Sequence, residues 1–113
     1  MLARIDYRWG MCQSLDSLDS LKSAEWIAPN IPHEILSSLE REHILDYEGD
    51  SGDPEWGTPI EIDWVVVASD SGIHSIRMFN RGIMLFQSDS EHVRRLHRFL
   101  EVMKKAARDI SHD

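Results

Sequence analysis

The last quarter of the chain is the strongest constraint on how it can fold. Ser88-Asp89-Ser90-Glu91 reads as a capping box, and Val93, Leu96, Leu100, Met103, Ala107 and Ile110 follow at alternating spacings of three and four. This pattern predicts an amphipathic helix over about 89–110. Arg94, Arg95, Arg98, Lys104, Lys105 and Arg108 fall on its flanks and back. Such a helix gains most of its stability by burying the apolar stripe, so the rest of the chain must offer a matching apolar surface.

That surface is expected from strands. Residues 2–9 alternate, with Ala3, Ile5, Tyr7 and Trp9 on one face and Arg4, Asp6 and Arg8 on the other, the period of a strand with one wet side. Ile60 to Ala68 alternates at first and then becomes wholly apolar, which predicts a central strand covered on both faces in its second half. Ile73–Phe79 and Ile83–Gln87 are two more β-rich runs, joined at Asn80-Arg81-Gly82, where glycine would close a hairpin. Residues 60–87 therefore read as a three-stranded meander.

Between the first strand and the meander, the repeat SLDSLDSLKS places Leu15, Leu18 and Leu21 three apart, and a helix is expected over about 15–27. Ala28-Pro29-Asn30 would break it. Pro32 suits the first turn of a second helix over about 32–46, with Ile35, Leu36, Leu39 and His43 at helical spacing. Tyr47 to Pro59 has glycines, prolines and acids without periodicity and reads as a long loop. The order β-α-α-β-β-β-α implies one α+β domain over residues 1–113: an antiparallel sheet of about four strands with the terminal helix packed on one face.

Charge narrows the function classes. Of the 20 acids, nine lie between Glu40 and Asp63 against the single base Arg41, and this block carries the whole net charge of −8. An acidic face repels nucleic acid and favours basic protein partners. Met1-Leu2-Ala3-Arg4-Ile5-Asp6 lacks the basic start and apolar run of a signal peptide, and no window approaches a membrane span, so a cytoplasmic location is expected. Cys12 is the one cysteine, which excludes an internal disulfide and a paired-cysteine metal site.

Several short motifs carry a chemical suggestion and a simpler reading. Asp70-Ser71-Gly72-Ile73-His74-Ser75 resembles the phosphodegron of beta-catenin, which an F-box ubiquitin ligase reads when both serines are phosphorylated. Asp, Ser and Gly are also what a turn between two strands recruits, and a hairpin corner is the expectation, with Gly72 its least replaceable residue. Gly49-Asp50-Ser51-Gly52-Asp53-Pro54 resembles the segment around the nucleophile of chymotrypsin-like proteases, with Asp53 in place of a glycine. That family's histidine motif is missing here, and a serine without a positioned base is inert. Asp46, Glu48 and Asp50 have the first three spacings of a calcium loop, but Ser51 and Gly57 stand where the turn glycine and the bidentate glutamate belong. Glu40 and His43 share a helical face as in di-iron bundles, without the further carboxylates such sites need. No catalytic residue, metal site or cofactor is expected.

The sharpest candidate is the segment from Asp46 to Trp56, where Tyr47 and Trp56 bracket a run of carboxylates. Aromatic anchors inside a charged rim suit capture of a basic protein, and Asp46, Tyr47, Glu48, Asp50, Asp53, Glu55 and Trp56 are expected to bind it. The leading expectation is a small acidic binding protein of the immunity-protein, antitoxin or phage-inhibitor type. Two alternatives are a small enzyme or ligand-binding domain drawing on His33, His43, His74 and the carboxylates, and a structural or oligomeric accessory subunit, such as a homodimer, joined through the meander edge or the terminal helix. Nucleic acid and membrane are not expected partners.

Overall fold

The computed structural model describes residues 2–12, 22–47, 49–51, 60–82 and 90–111. The strands are β1 (Leu2–Cys12), β2 (Lys22–Ile27), β3 (Gly49–Ser51), β4 (Ile60–Ser69) and β5 (Gly72–Phe79); the helices are α1 (His33–Arg41) and α2 (Glu91–Ser111). They form an α+β fold with the sheet order β2-β1-β4-β5-β3. The first four of these strands pair antiparallel, and the short β3 adds in parallel to β5.

The sheet presents one face to both helices. Ile5 and Tyr7 of β1, Ala24 and Trp26 of β2, Val65 and Val67 of β4, and Ile76 and Met78 of β5 point into a core completed by Ile35 and Leu39 of α1 and by Val93, Leu96, Phe99, Leu100 and Met103 of α2. The helix α2 runs as its apolar spacing requires, with Ser90 at its start accepting the Arg94 amide at 3.1 Å. Phe99, outside the spacing read from the sequence, is fully buried, whereas Ile110 is left exposed.

Three expectations change. Residues 22–27 form strand β2, not the end of a helix: Ala24 and Trp26 face the core while Ser23, Glu25 and Ile27 face out. Pairing with β1 along six positions overrides the helical suggestion of the leucine repeat, whose Leu15, Leu18 and Leu21 lie outside the described residues. The second expected helix stops at Arg41, where His43 turns left-handed, and resumes as a single tight turn over Ile44–Asp46. Within the expected loop, Gly49–Ser51 pairs in parallel with Ile76–Met78, and a ladder of backbone hydrogen bonds needs no side-chain pattern.

The first two strands of the expected meander are β4 and β5, paired antiparallel. After β5, Asn80 adopts the left-handed conformation that the sequence reading gave to Gly82, and Arg81 and Gly82 continue as helical backbone. Asn80 is held in this conformation across the strand pair: the Glu61 amide donates to Asn80 Oδ1 at 3.0 Å, and the Asn80 amide donates to the Glu61 carbonyl at 2.7 Å. Ile83–Gln87 lie outside the described residues. Among the described residues the fourth antiparallel strand is β2.

The DSGIHS stretch is the corner of the β4–β5 hairpin. Ser69 pairs with Gly72, leaving Asp70 and Ser71 as a two-residue turn. The hydroxyls of Ser69 and Ser71 meet at 2.8 Å, and Ser75 Oγ accepts a hydrogen bond from Trp64 Nε1 at 3.0 Å. Gly72 has φ +122, and an added Cβ would meet nothing within 4 Å, so any cost of a side chain there is backbone strain. Gly72→Val should lower the folding free energy by about 1–3 kcal/mol, read as a shift of the urea midpoint.

Candidate functional site

Between the end of β2, helix α1 and the β4–β5 turn lies an open groove of about 620 Å³. Its floor is apolar: Ala28 and Pro29 leave the sheet edge, Ile31 and Leu36 follow at the start of α1, and Leu39 and Leu45 close the far side. Pro29 cannot continue a ladder and Pro32 starts a helix, so local sequence chemistry turns the chain here and sets α1 across the core. The groove continues into a hollow of about 200 Å³ that shares Leu39, Glu40 and Leu45 with it and adds His43 and Asp46.

The charge on the rim has one sign. Glu40 and Asp70 flank the groove and Asp46 the hollow, while among the described residues no lysine or arginine lines either. Asp70 belongs to the hairpin corner, so the turn motif singled out in the sequence supplies one wall of the site. Among the expected binding residues, Asp46 is exposed on the tight turn after α1. Tyr47 is half-buried with its ring edge-on to His92 at a centroid distance of 4.3 Å, which ties the start of the acidic segment to α2. Asp50 lies in β3 opposite Arg77. Glu48, Asp53, Glu55 and Trp56 lie outside the described residues.

The acidic block does not form a single solvated face. Glu42 and Asp63 are 3% and 0% exposed. Arg98 Nε donates to Glu42 Oε2 at 3.0 Å and Arg98 Nη2 to Glu42 Oε1 at 2.9 Å, joining α1 to α2. These bonds hold the Glu42 carboxyl below its ordinary value, against the opposing effect of burial. Asp63 sits between Tyr7, whose hydroxyl donates to Oδ1 at 2.5 Å, and Arg81, whose Nε lies 3.2 Å from Oδ2. Burial pushes the Asp63 carboxyl up to about 6, although the Arg81 guanidinium and the Tyr7 bond pull the other way. Burial likewise pushes the Tyr7 hydroxyl up. Arg81, itself 3% exposed, reaches Glu101 of α2 at 3.7 Å.

Buried Tyr-Asp-Arg sets attract a catalytic reading, but here all three side chains are sealed between sheet and helix, where they join β1, β4 and α2. The histidines do not converge on the groove: His43 lines the hollow, His33 meets Ser37 at 3.2 Å on α1, and His74 lies in β5 opposite Val67. Among the described residues, no group of three or more His, Cys, Asp or Glu is placed to hold a metal ion. No described helix is long and apolar enough to cross a membrane.

The groove was missed from sequence because its lining comes from three separate stretches, none of which is unusual alone. Neither a protein-family model, nor a curated protein, nor a solved structure matches the chain.

Proposed function

We propose that this chain is a cytoplasmic binding protein, without chemistry of its own, that captures a basic protein partner in the groove beside α1. The reading is carried by one observation: an apolar floor bounded by the carboxylates Glu40, Asp46 and Asp70, with no lysine or arginine among the described lining residues. An occupant suited to it carries two or three aliphatic side chains flanked by lysine or arginine. The aliphatics supply buried area, and the flanking charges steer encounter and pair at the rim. The same rim repels phosphate backbones, which disfavours nucleic acid. The size and acidity of the chain suit an inhibitor or immunity-type protein that covers a basic surface.

A fluorescein-labelled amphipathic peptide with leucines at i, i+4 and i+7 and lysines between them is the probe. Fluorescence anisotropy should show saturable binding to the wild-type chain. Replacing Glu40, Asp46 and Asp70 together by lysine should weaken it at least about tenfold, with the circular dichroism unchanged because all three side chains are exposed. Undiminished binding by that variant would sink the proposal. A parallel Asp50, Asp53 and Glu55 to lysine variant measures what the acidic segment beyond the groove adds.

A further inference from the structure

Arg81 lies just beyond the end of β5, is 3% exposed, and carries a buried Nη1 that makes no hydrogen bond. Its Nε reaches Asp63 Oδ2 at 3.2 Å, an ion-pair contact in which Oδ2 also lacks a hydrogen bond. Its Nη1 lies 3.7 Å from Glu101 of α2, whose side chain is 51% exposed. Among the described residues these are the two carboxylates in ion-pair reach of Arg81, and Asp63 is the close, buried one. A guanidinium taken out of water is costly unless a carboxylate answers it. The place of Arg81 in the core therefore depends on the charge of Asp63.

We propose that Arg81 is a pH-gated latch: it ties the end of the sheet to α2 while Asp63 is ionised, and its guanidinium leaves for solvent when Asp63 takes up a proton. This goes beyond the partner-binding reading and does not depend on it.

The groups around the pair set the direction. From β1, the Tyr7 hydroxyl donates to Asp63 Oδ1, and a neutral carboxyl still accepts that bond through its carbonyl oxygen. From β4, Glu61 raises the Asp63 carboxyl, and from α2 Lys104 lowers it. Burial pushes Asp63 up to about 6 in the latched state, and the Arg81 charge keeps it from rising further. Once the guanidinium has left, that restraint is gone and the carboxyl rises. On α2, His97 is held below its ordinary value by burial first and then by Arg81, with Arg98 adding to this and Glu101 opposing it. Departure of Arg81 frees the imidazole to bind a proton more readily. Both groups thus hold protons more tightly in the released state, so release is favoured as pH falls.

The exit is short. Asn80 is clasped to Glu61 by two hydrogen bonds, which keep the β4–β5 ladder closed up to the residue before the latch. Gly82, on the other side, is exposed. The guanidinium already sits beside the half-exposed Glu101, so rotation of the Arg81 side chain past it brings the charge to water without opening the sheet. What release breaks is the link from Asp63 of β4 to α2.

Asp63→Asn keeps the shape of the protonated carboxyl and tests the latch at a single pH. With phenylglyoxal at about pH 8 and peptide mass mapping, Arg41, with 62% of its side chain exposed, is the internal reference. In the wild type Arg81 should react at least about tenfold more slowly than Arg41, and in Asp63→Asn within about threefold of it. The wild-type chain decides the matter without any substitution: nuclear Overhauser cross-peaks between the side chains of Arg81 and Asp63 should be present at about pH 8 and lost at about pH 5. Those between Ile5 and Val67, paired across β1 and β4, should persist and show that the domain stays folded. His97→Gln should move the loss to lower pH. An Arg81 still shielded in folded Asp63→Asn would overturn the proposal, as would cross-peaks to Asp63 unchanged at the lower pH. Loss at an unaltered pH in His97→Gln would overturn the share given to the imidazole.

Discussion

Arg81→Met is expected to cost about 3–5 kcal/mol of folding free energy at neutral pH, a large share of the roughly 5–15 kcal/mol that holds a domain together. Among the described residues the guanidinium is the cation in ion-pair contact with Asp63, which is 0% exposed and also held by the Tyr7 hydroxyl, while Lys104 acts on it more weakly. Removing it strands an ionised carboxylate in the core. The pH profile separates this cause from lost packing. Asp63 already has its folded value raised to about 6, above its ordinary 3.8, so the native state binds the proton more readily than the unfolded chain. Stability from this group is therefore present at low pH and lost as pH rises towards and through 6. Without Arg81 the value moves higher still, so the deficit of the variant should shrink steadily between pH 7 and pH 5. Adding Asp63→Asn to Arg81→Met should recover most of the loss at pH 7, because the amide keeps an acceptor for Tyr7 without the charge. Urea midpoints of the wild type and the variants across that pH range are the measurement, and a deficit independent of pH would show that packing dominates.

Asp63 also illustrates how far the sequence was legible. In β4 it shares a face with Val65 and Val67, and the same alternation that places those valines in the core places the carboxylate there too. The pattern contained the answer, but counting Asp63 within an acidic block hid it. Long elements with a sustained period, β1, β4, β5 and α2, were readable because each buries one face against the core. β2 was not, since six residues of alternation were outweighed by a leucine repeat beside them. β3 left no trace because three residues joined by backbone bonds need no side-chain pattern. For the groove, Asp46 was legible as one carboxylate of an acidic run. Its relation to Glu40 and Asp70 depends on a turn at Pro29 and a hairpin corner more than twenty residues beyond it, and only the folded chain brings them to one rim.

The bond between Glu42 and Arg98 should produce the opposite pH signature to that of Asp63. Arg98→Leu removes both hydrogen bonds to a carboxylate that is 3% exposed, leaving Arg41 at 3.3 Å as its remaining described cationic partner. Glu42 has its folded value lowered, chiefly by the Arg98 bond. Its contribution is thus complete above the unfolded value of about 4.3 and is lost as pH falls through the lower, folded one. In the variant, burial acts on Glu42 with less to oppose it, and the carboxyl moves upward. The variant should therefore melt several degrees below the wild type at pH 7, and the gap should close as pH falls through the lowered folded value of the wild type, beneath which both chains carry a protonated Glu42. Since Glu42 ends α1 and Arg98 lies in α2, the loss should also loosen the support of the groove. Amide exchange in Ile35–Leu39 should accelerate in Arg98→Leu while that of the β1–β4 ladder, held by Ile5, Tyr7, Val65 and Val67, stays close to the wild-type rate. Uniform acceleration across both would mean that the ion pair stabilises the domain as a whole and does not act specifically on α1.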